Sequence, residues 1–140
     1  MEVLGTVAGV IAVAQAGDKV IQLLSRIRLY FNALQEIDAL ILDVTDLRMV
    51  LSMMESAASN LPQSYLIGLG KVLNRCSQIV LELEKTLNEF HKERLESNVA
   101  ARTQMNRIRW LKKRNKVERL KEQLRDAKST LTLQMLIINR

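Results

Sequence analysis

Residues 37–58 read IDALILDVTDLRMVLSMMESAA, and their apolar side chains return at alternating steps of three and four residues. The repeating positions are Ile37, Leu40, Val44, Leu47, Leu51, Met54 and Ala58. This spacing places them on one face of an α-helix about three heptads long. A helix with a single apolar face is marginal in water until partners cover that face. The stretch therefore predicts a bundle of helices.

Three further stretches carry the same periodicity. Their apolar positions are Val20, Leu24, Ile27, Phe31 and Leu34; then Leu69, Leu73, Cys76, Val80, Leu83, Leu87 and Phe90; then Val117, Leu120, Leu124, Ala127 and Leu131. Pro62 interrupts the pattern between the second and third stripes, with Ser59 or Asn60 as a candidate helix cap. We expect an all-α protein, an antiparallel four-helix-type bundle with an additional short hydrophobic helix at its N-terminus.

The composition agrees with this expectation. Of the 140 residues, 48% are hydrophobic and 4% aromatic, and there is one proline. Many aliphatic residues with few aromatics and few breakers favour helices over sheets. We expect one domain over residues 1–140, divided into an N-terminal tip (residues 1–17) and a bundle (residues 18–140).

The N-terminal tip reads MEVLGTVAGVIAVAQAG, and Glu2 is its only charged residue. Ala14-Gln15-Ala16 resembles a signal-peptide cleavage site, but the positive region that should precede the apolar run is missing. A bilayer span needs about 20 apolar residues, and Asp18 interrupts the run before that length. The tip is therefore unusually apolar for a protein surface and short for a conventional span.

Small residues recur along the tip at helical spacing. Gly5 and Gly9 lie four residues apart, Ala8 and Ala12 form an adjoining row, and Gly17 extends the Gly9 row. Removing side chains one turn apart lets another helix approach closely, as in the small-xxx-small faces of membrane helices. Each interior glycine costs about 1 kcal/mol relative to alanine. The glycines serve either such an association or close packing within the bundle itself.

Positive charge is concentrated late in the chain. Residues 1–91 carry 7 Lys and Arg against 10 Asp and Glu, whereas residues 92–128 carry 13 against 5. Residues 107–116, the basic block, surround one tryptophan with cations: Arg107, Arg109, Trp110, Lys112, Lys113, Arg114 and Lys116. Such a block favours anionic lipid headgroups, with the tryptophan at the interface.

Two other interpretations of the basic block stay open. It is either a solvated loop or, less favoured, a nucleic-acid contact, which usually uses several exposed rings. Because periodicity is weak across residues 91–116, we expect a long connection or a fraying helix end there.

The sequence offers little for catalysis. A single cysteine, Cys76, excludes an internal disulfide, and the lone His91 leaves no Cys/His metal set. The segment IGLGK (67–71) lacks the spacing of nucleotide-binding loops. Glu82, Glu84 and Glu89 are not in the Glu-x-x-His arrangement of helical di-metal sites. We expect no enzyme and no cofactor.

Two quoted stretches resemble a known family. MEVLGTVAGVIAVAQAGDKVIQLL (1–24) and RWLKKRNKVERLKEQLRDAKSTLTLQML (109–136) look like the opening and the late signature of fungal HeLo-like domains. Those domains stand at the N-terminus of fungal NOD-like receptors, ankyrin-repeat proteins and amyloid-controlled cell-death effectors. One departure is Leu111, where many relatives have proline.

The resemblance implies a membrane-active cell-death domain, similar to the four-helix bundle of necroptosis pseudokinases. Gly5 and Gly9 match the family's membrane-targeting glycine zipper, and Gly17 matches it less closely. The implied partners are anionic membrane lipids, further copies of the chain on activation, and a receptor or amyloid-motif controller outside residues 1–140, with no nucleic acid. The implied location is cytoplasmic at rest and the plasma membrane on activation. The alternative is a non-toxic oligomerisation or adaptor domain.

Overall fold

A computed structural model describes residues 2–30, 34–57, 62–95 and 102–138. These form four helices: α1 (Glu2–Tyr30), α2 (Leu34–Ala57), α3 (Gln63–Leu95) and α4 (Arg102–Ile138). Within these ranges there is no strand, and the predicted all-α bundle is confirmed. Helix α3 begins directly after Pro62, whose carbonyl oxygen accepts the backbone N–H of Tyr65 at 3.0 Å. The candidate caps Ser59 and Asn60 lie outside the described residues.

Successive helices along the chain run in opposite directions, and the four helices lie at the corners of a square. Helix α1 packs against α2 and α3, while α4 packs against α3 and α2, so α1 and α4 lie on opposite corners. Gly9 of α1 faces Leu73 of α3, near the start of both helices, so these two run parallel. Gly68 of α3 faces Gln134 of α4, so that pair is antiparallel. The starts of α1 and α3 therefore lie at the same end of the bundle as the ends of α2 and α4.

The predicted stripes form the core. Every stripe position whose side chain is described is buried, whereas Phe31, Leu34 and Ala58 lie outside the described side chains. Further core residues are Val10, Val13, Ala16, Leu23, Leu66, Ile79, Trp110 and Met135. Helical periodicity thus identified the apolar face of each helix, as expected for residues that repeat every three or four positions.

Two details differ from the sequence expectation. The tip is not a separate helix, because α1 continues without a break through Gly17 to Tyr30. Its apolar residues Val10 and Val13 extend the buried stripe that begins at Val20. The expectation of a long connection over residues 91–116 is also wrong for most of its length. Residues 91–95 belong to α3 and residues 102–116 to α4, where cations from α4 pair with acids of other helices.

Candidate functional site

The four segments with the fewest charges meet at one end of the bundle. They are residues 3–17 of α1, 49–57 of α2, 63–70 of α3 and 129–138 of α4, and Glu55 is their only charged residue. We call this region the apolar end. These segments meet because successive helices run in opposite directions, which brings the starts of α1 and α3 and the ends of α2 and α4 to the same end of the bundle.

Large hydrophobic side chains are exposed on every helix at the apolar end. They are Ile11 (40% exposed), Met49 (62%), Met53 (56%), Tyr65 (41%), Ile67 (54%), Leu133 (60%) and Leu136 (62%). A single exposed leucine on a protein surface is ordinary. Seven such side chains in four segments that together carry one charge favour a surface that contacts a partner or a membrane.

An open groove of about 410 Å³ runs between α1 and α3 at the apolar end. Its walls are Gly5, Gly9, Ala12 and Val13 from α1, and Leu66, Ile67, Gly70, Leu73, Asn74 and Ser77 from α3. A methyl group added at Gly5 or Gly70 would meet nothing within 4 Å, and one at Gly9 would lie 3.7 Å from Leu73 Cδ1. The packing of this conformation therefore does not require glycine at positions 5 and 70.

The predicted zipper residues do not share one environment. Gly5, Ala8 and Ala12 are exposed, whereas Gly9 is half-buried beside α3. Gly17 is buried against α2, where an added Cβ would lie 3.4 Å from Val44 Cγ1. The structure thus brings Gly5, Gly9 and Ala12 together in the groove and places Gly17 in a helix–helix contact.

The basic block lies far from the apolar end. It belongs to α4, on the opposite corner of the bundle from α1. Lys116 is 18 residues before Gln134, which is about 27 Å along a helix. Of the block's cations, Arg107, Lys112 and Arg114 are exposed, and Arg109, Lys113 and Lys116 are partly buried. In this conformation the two predicted membrane elements are therefore separated along the bundle.

Acidic side chains of α2 and α3 pair with the cations of α4. The N···O distances are 3.1 Å for Lys113–Glu89, 3.0 Å for Arg114–Glu36, 3.3 Å for Lys116–Glu82, 3.1 Å for Arg125–Asp43 and 3.7 Å for Lys128–Asp46. The pairs of Lys113, Arg114 and Lys116 lie at the opposite end of the bundle from the apolar end, and we call this end the charged end; the pairs of Arg125 and Lys128 lie between the two ends. The acidic excess of residues 1–91 thus meets the basic excess of α4. An anionic surface that recruits these cations must compete with their carboxylate partners.

Trp110 is a core residue in this conformation. Its side chain is 4% exposed and its ring lies edge-on to Phe90, with centroids 5.5 Å apart. Its indole N–H donates to Glu36 Oε2 at 2.7 Å, while Glu36 Oε1 receives Arg114. Contact between Trp110 and a lipid interface would therefore require the first turns of α4 to leave Glu36 and Phe90.

Two residues weighed for chemistry have structural surroundings. Cys76 is fully buried on its stripe, and burial raises the pKa of its thiol to about 11, so the thiolate nucleophile is scarce near neutral pH. His91 is partly buried near the end of α3. Among the described residues, no group of three His, Cys, Asp or Glu side chains is arranged to hold a metal ion.

One described segment reaches the length and apolarity of a membrane span. Val7–Leu29 of α1 has a mean hydropathy of 1.4, and 39% of it is buried inside the bundle. The segment includes Asp18 and Lys19, which interrupt its apolar run. Core helices of soluble bundles have the same composition, so the segment does not by itself indicate a span.

The fold and the site together define a class: an all-α four-helix domain whose one end is apolar and whose other end is held by ion pairs. The family described as the N-terminal domain of the pigment biosynthesis cluster protein PigL matches residues 1–139, and the chain belongs to this fungal cluster-protein family. No curated protein and no solved structure is significantly similar to the chain. The resemblance to HeLo-like domains stays a prediction.

Sequence reasoning missed two parts of the site. Gly70 was considered only as part of a nucleotide loop, although it lines the groove opposite Gly5. Leu133 and Leu136 lie beyond the predicted stripe that ends at Leu131, outside its spacing of three and four residues, and they are exposed. The sequence does carry a signal for Leu133 and Leu136, because apolar residues that lie off the buried stripe of an amphipathic helix need another partner.

Proposed function

We propose that this chain is a HeLo-like executioner domain of fungal regulated cell death, which targets and permeabilises the plasma membrane. The observation that carries the proposal is the apolar end, where Gly5 and seven large hydrophobic side chains are exposed in four segments that together carry one charge. An apolar surface of this kind is suited to a lipid interface. The domain would be cytoplasmic at rest and would act at the membrane after clustering by a receptor or amyloid-motif partner.

The glycines support a second state of α1. Glycine at position 5 weakens the helix by about 1 kcal/mol relative to alanine, and the described packing leaves open space beside it. A residue that lowers stability without a packing reason suggests a contact formed elsewhere. In the clustered state, we infer, α1 tips associate through the face that carries Gly5, Gly9 and Ala12, as small-xxx-small helices do in lipid.

The basic block has a later role in this proposal. Its exposed cations Arg107 and Lys112 would meet anionic headgroups first, at about 1 kcal/mol each. Lys113, Arg114 and Lys116 would follow as headgroups replace their carboxylate partners. Trp110 would reach the interface only in that rearranged state, because it is buried beside Phe90 here.

Dye release from vesicles containing phosphatidylserine tests the proposal. The wild-type chain, artificially clustered, is expected to release dye, and the Gly5→Leu/Gly9→Leu variant is expected to lose most of that activity. A matched control is Gln15→Leu, which adds the same side chain at an exposed position of α1 outside the groove. Circular dichroism must show wild-type helicity for both variants.

Each outcome separates the alternatives. Equal leakage by the wild type and the glycine variant would assign the activity to the basic block instead of the tip. Leakage by neither, with clustering achieved, would contradict the executioner function. An unfolded glycine variant would assign the glycines to folding, and Gly5→Ala, which meets no neighbour, would then replace it in the assay.

The second candidate function is a non-toxic oligomerisation or adaptor domain. It is favoured by the docked state of α1, since Val10, Val13 and Ala16 are buried and α1 packs most extensively against α3. This function predicts self-association in solution without vesicle binding. Sedimentation with and without vesicles distinguishes the two functions.

A further inference from the structure

We propose that the whole apolar end, built from all four helices, is the surface with which the intact bundle docks on a lipid bilayer. This inference rests on the proposed membrane function but differs from it in the contact surface. The proposed function needs only the tip of α1, whereas the docking surface includes α2, α3 and the last turns of α4. Docking of the intact bundle would precede any release of α1.

The distribution of exposed side chains around the bundle axis favours lipid as the occupant. Ile67 on α3 and Leu133 on α4 lie nearest the end of the bundle, and each is at least half exposed. Ile11 on α1 and Met53 on α2 lie about two turns further from the end and are at least 40% exposed. The four helices are the four corners of a square, so these side chains point away from the axis in different directions. A protein partner or a second copy that packs on one face would leave the other faces in water. A bilayer surrounds the inserted end, covers Ile67 and Leu133, and brings its headgroups towards the level of Ile11 and Met53.

The depth of the apolar end matches a shallow insertion. On α3 the first charged residue is Lys71, which leaves residues 63–70 uncharged, about 12 Å of helix. Interfacial helices bury their apolar faces about 5–10 Å into the boundary between headgroups and acyl chains. Glu55, near the end of α2, lies at about the level of Ile11 and Arg75, because Arg48 pairs with Asp18 and Gly9 faces Leu73. It therefore lies beyond the uncharged depth of α3 and would meet the headgroups, where its carboxylate should oppose docking.

The charge pattern separates this contact from headgroup binding by the basic block. The five ion pairs that join α4 to α2 and α3 lie outside the apolar end and would stay intact during docking. Apolar docking therefore needs neither anionic lipid nor low salt. Headgroup binding by Lys and Arg requires both, because salt screens exposed charges.

Vesicle co-sedimentation with substitutions on α4 tests the surface. The test variant is Leu133→Ser/Leu136→Ser, at positions 60% and 62% exposed. The control is Leu42→Ser/Leu111→Ser, at positions 59% and 60% exposed but outside the apolar end. Both variants remove two exposed leucines, so they differ only in location. The vesicles are phosphatidylcholine alone, and phosphatidylcholine with phosphatidylserine, each at low and high salt.

The expected result is binding of the wild type to both kinds of vesicle at high salt. The test variant should bind at least about tenfold more weakly, because each buried leucine contributes roughly a factor of ten. The control should bind as the wild type does, and Glu55→Gln should bind several-fold more tightly. Circular dichroism that matches the wild type confirms that each variant is folded.

Several results would overturn the inference. If the test variant and the control bind equally while Ile11→Ser abolishes binding, the tip of α1 acts alone, and the proposed membrane function survives without the four-helix surface. If binding requires phosphatidylserine and disappears at high salt, the basic block is the contact. If the wild type binds no vesicle under any condition, both the inference and the membrane function are wrong.

Discussion

The two ends of this bundle are made from the same four helices but are held together differently. At the charged end, α4 is fixed to its neighbours by ion pairs and by the buried Trp110, whose indole N–H is bonded to Glu36. At the apolar end, hydrophobic side chains are exposed and a groove separates α1 from α3. The difference indicates that specific polar contacts fix the register of α4 at one end, while the other end is left available for an external contact.

The largest expected effect tests the charged end as the anchor of α4. Trp110→Ala should lower the free energy of unfolding by about 3–5 kcal/mol, because it removes a buried aromatic ring. Leu133→Ala, at an exposed position of the same helix, should change it by less than about 0.5 kcal/mol. Denaturant titration measures both values.

A milder substitution separates ring packing from the hydrogen bond. Trp110→Phe keeps an aromatic ring beside Phe90 but leaves Glu36 without its indole donor. The expected loss is about 1–3 kcal/mol. A loss as large as that of Trp110→Ala would show that the bond to Glu36, and not the ring contact, holds this part of α4.

The next effect concerns the partly buried ion pair between Arg125 of α4 and Asp43 of α2. Arg125→Ala removes the partner of Asp43, a carboxylate that is 11% exposed, and should cost about 1–3 kcal/mol. Arg28→Ala breaks a pair with Asp38 in which both side chains are about half exposed, and should cost less than about 1 kcal/mol. Equal costs for the two variants would contradict the role assigned to burial of Asp43.

Glycine substitutions at the apolar end should change stability in the opposite direction. Gly5→Ala and Gly70→Ala each add a methyl group in open space and should stabilise the bundle by up to about 1 kcal/mol. If the proposed function holds, Gly5→Ala should also reduce dye release, so the variant would be more stable but less active than the wild type. A destabilised Gly5→Ala variant would mean that the groove is narrower in solution.

The smallest effect is a dependence on pH at the charged end. The hydrogen bond and charge of Lys113 hold the pKa of the Glu89 carboxyl below its usual 4.5. A lowered folded-state pKa means that the stabilisation is present above pH 4.5 and is lost as the pH falls through the lowered value. Because Glu89 is exposed, the loss should be small, and it should disappear in Glu89→Gln when thermal unfolding is followed between pH 6 and 3 (about the range in which carboxylates titrate).

The sequence predicted the core more completely than the surface. Stripes such as Leu69, Leu73 and Cys76 are buried as predicted, because the helical repeat fixes which side chains share a face. The tip was expected as a separate short helix, but α1 continues through Gly17, which is buried against α2. The basic block was expected in a long connection or a fraying helix end, because its periodicity is weak. It lies in α4, where its partners on α2 and α3 are distant in the sequence.

The sequence by itself determined the helices, their buried faces and the separation of acidic from basic residues along the chain. These properties depend on local spacing and composition, which the linear order records directly. Tertiary structure alone decided that the four low-charge segments meet at one end, that Gly5 lies across a groove from Gly70, and that Trp110 is bonded to Glu36. Such contacts join residues far apart in sequence, and only the direction and packing of whole helices bring them together.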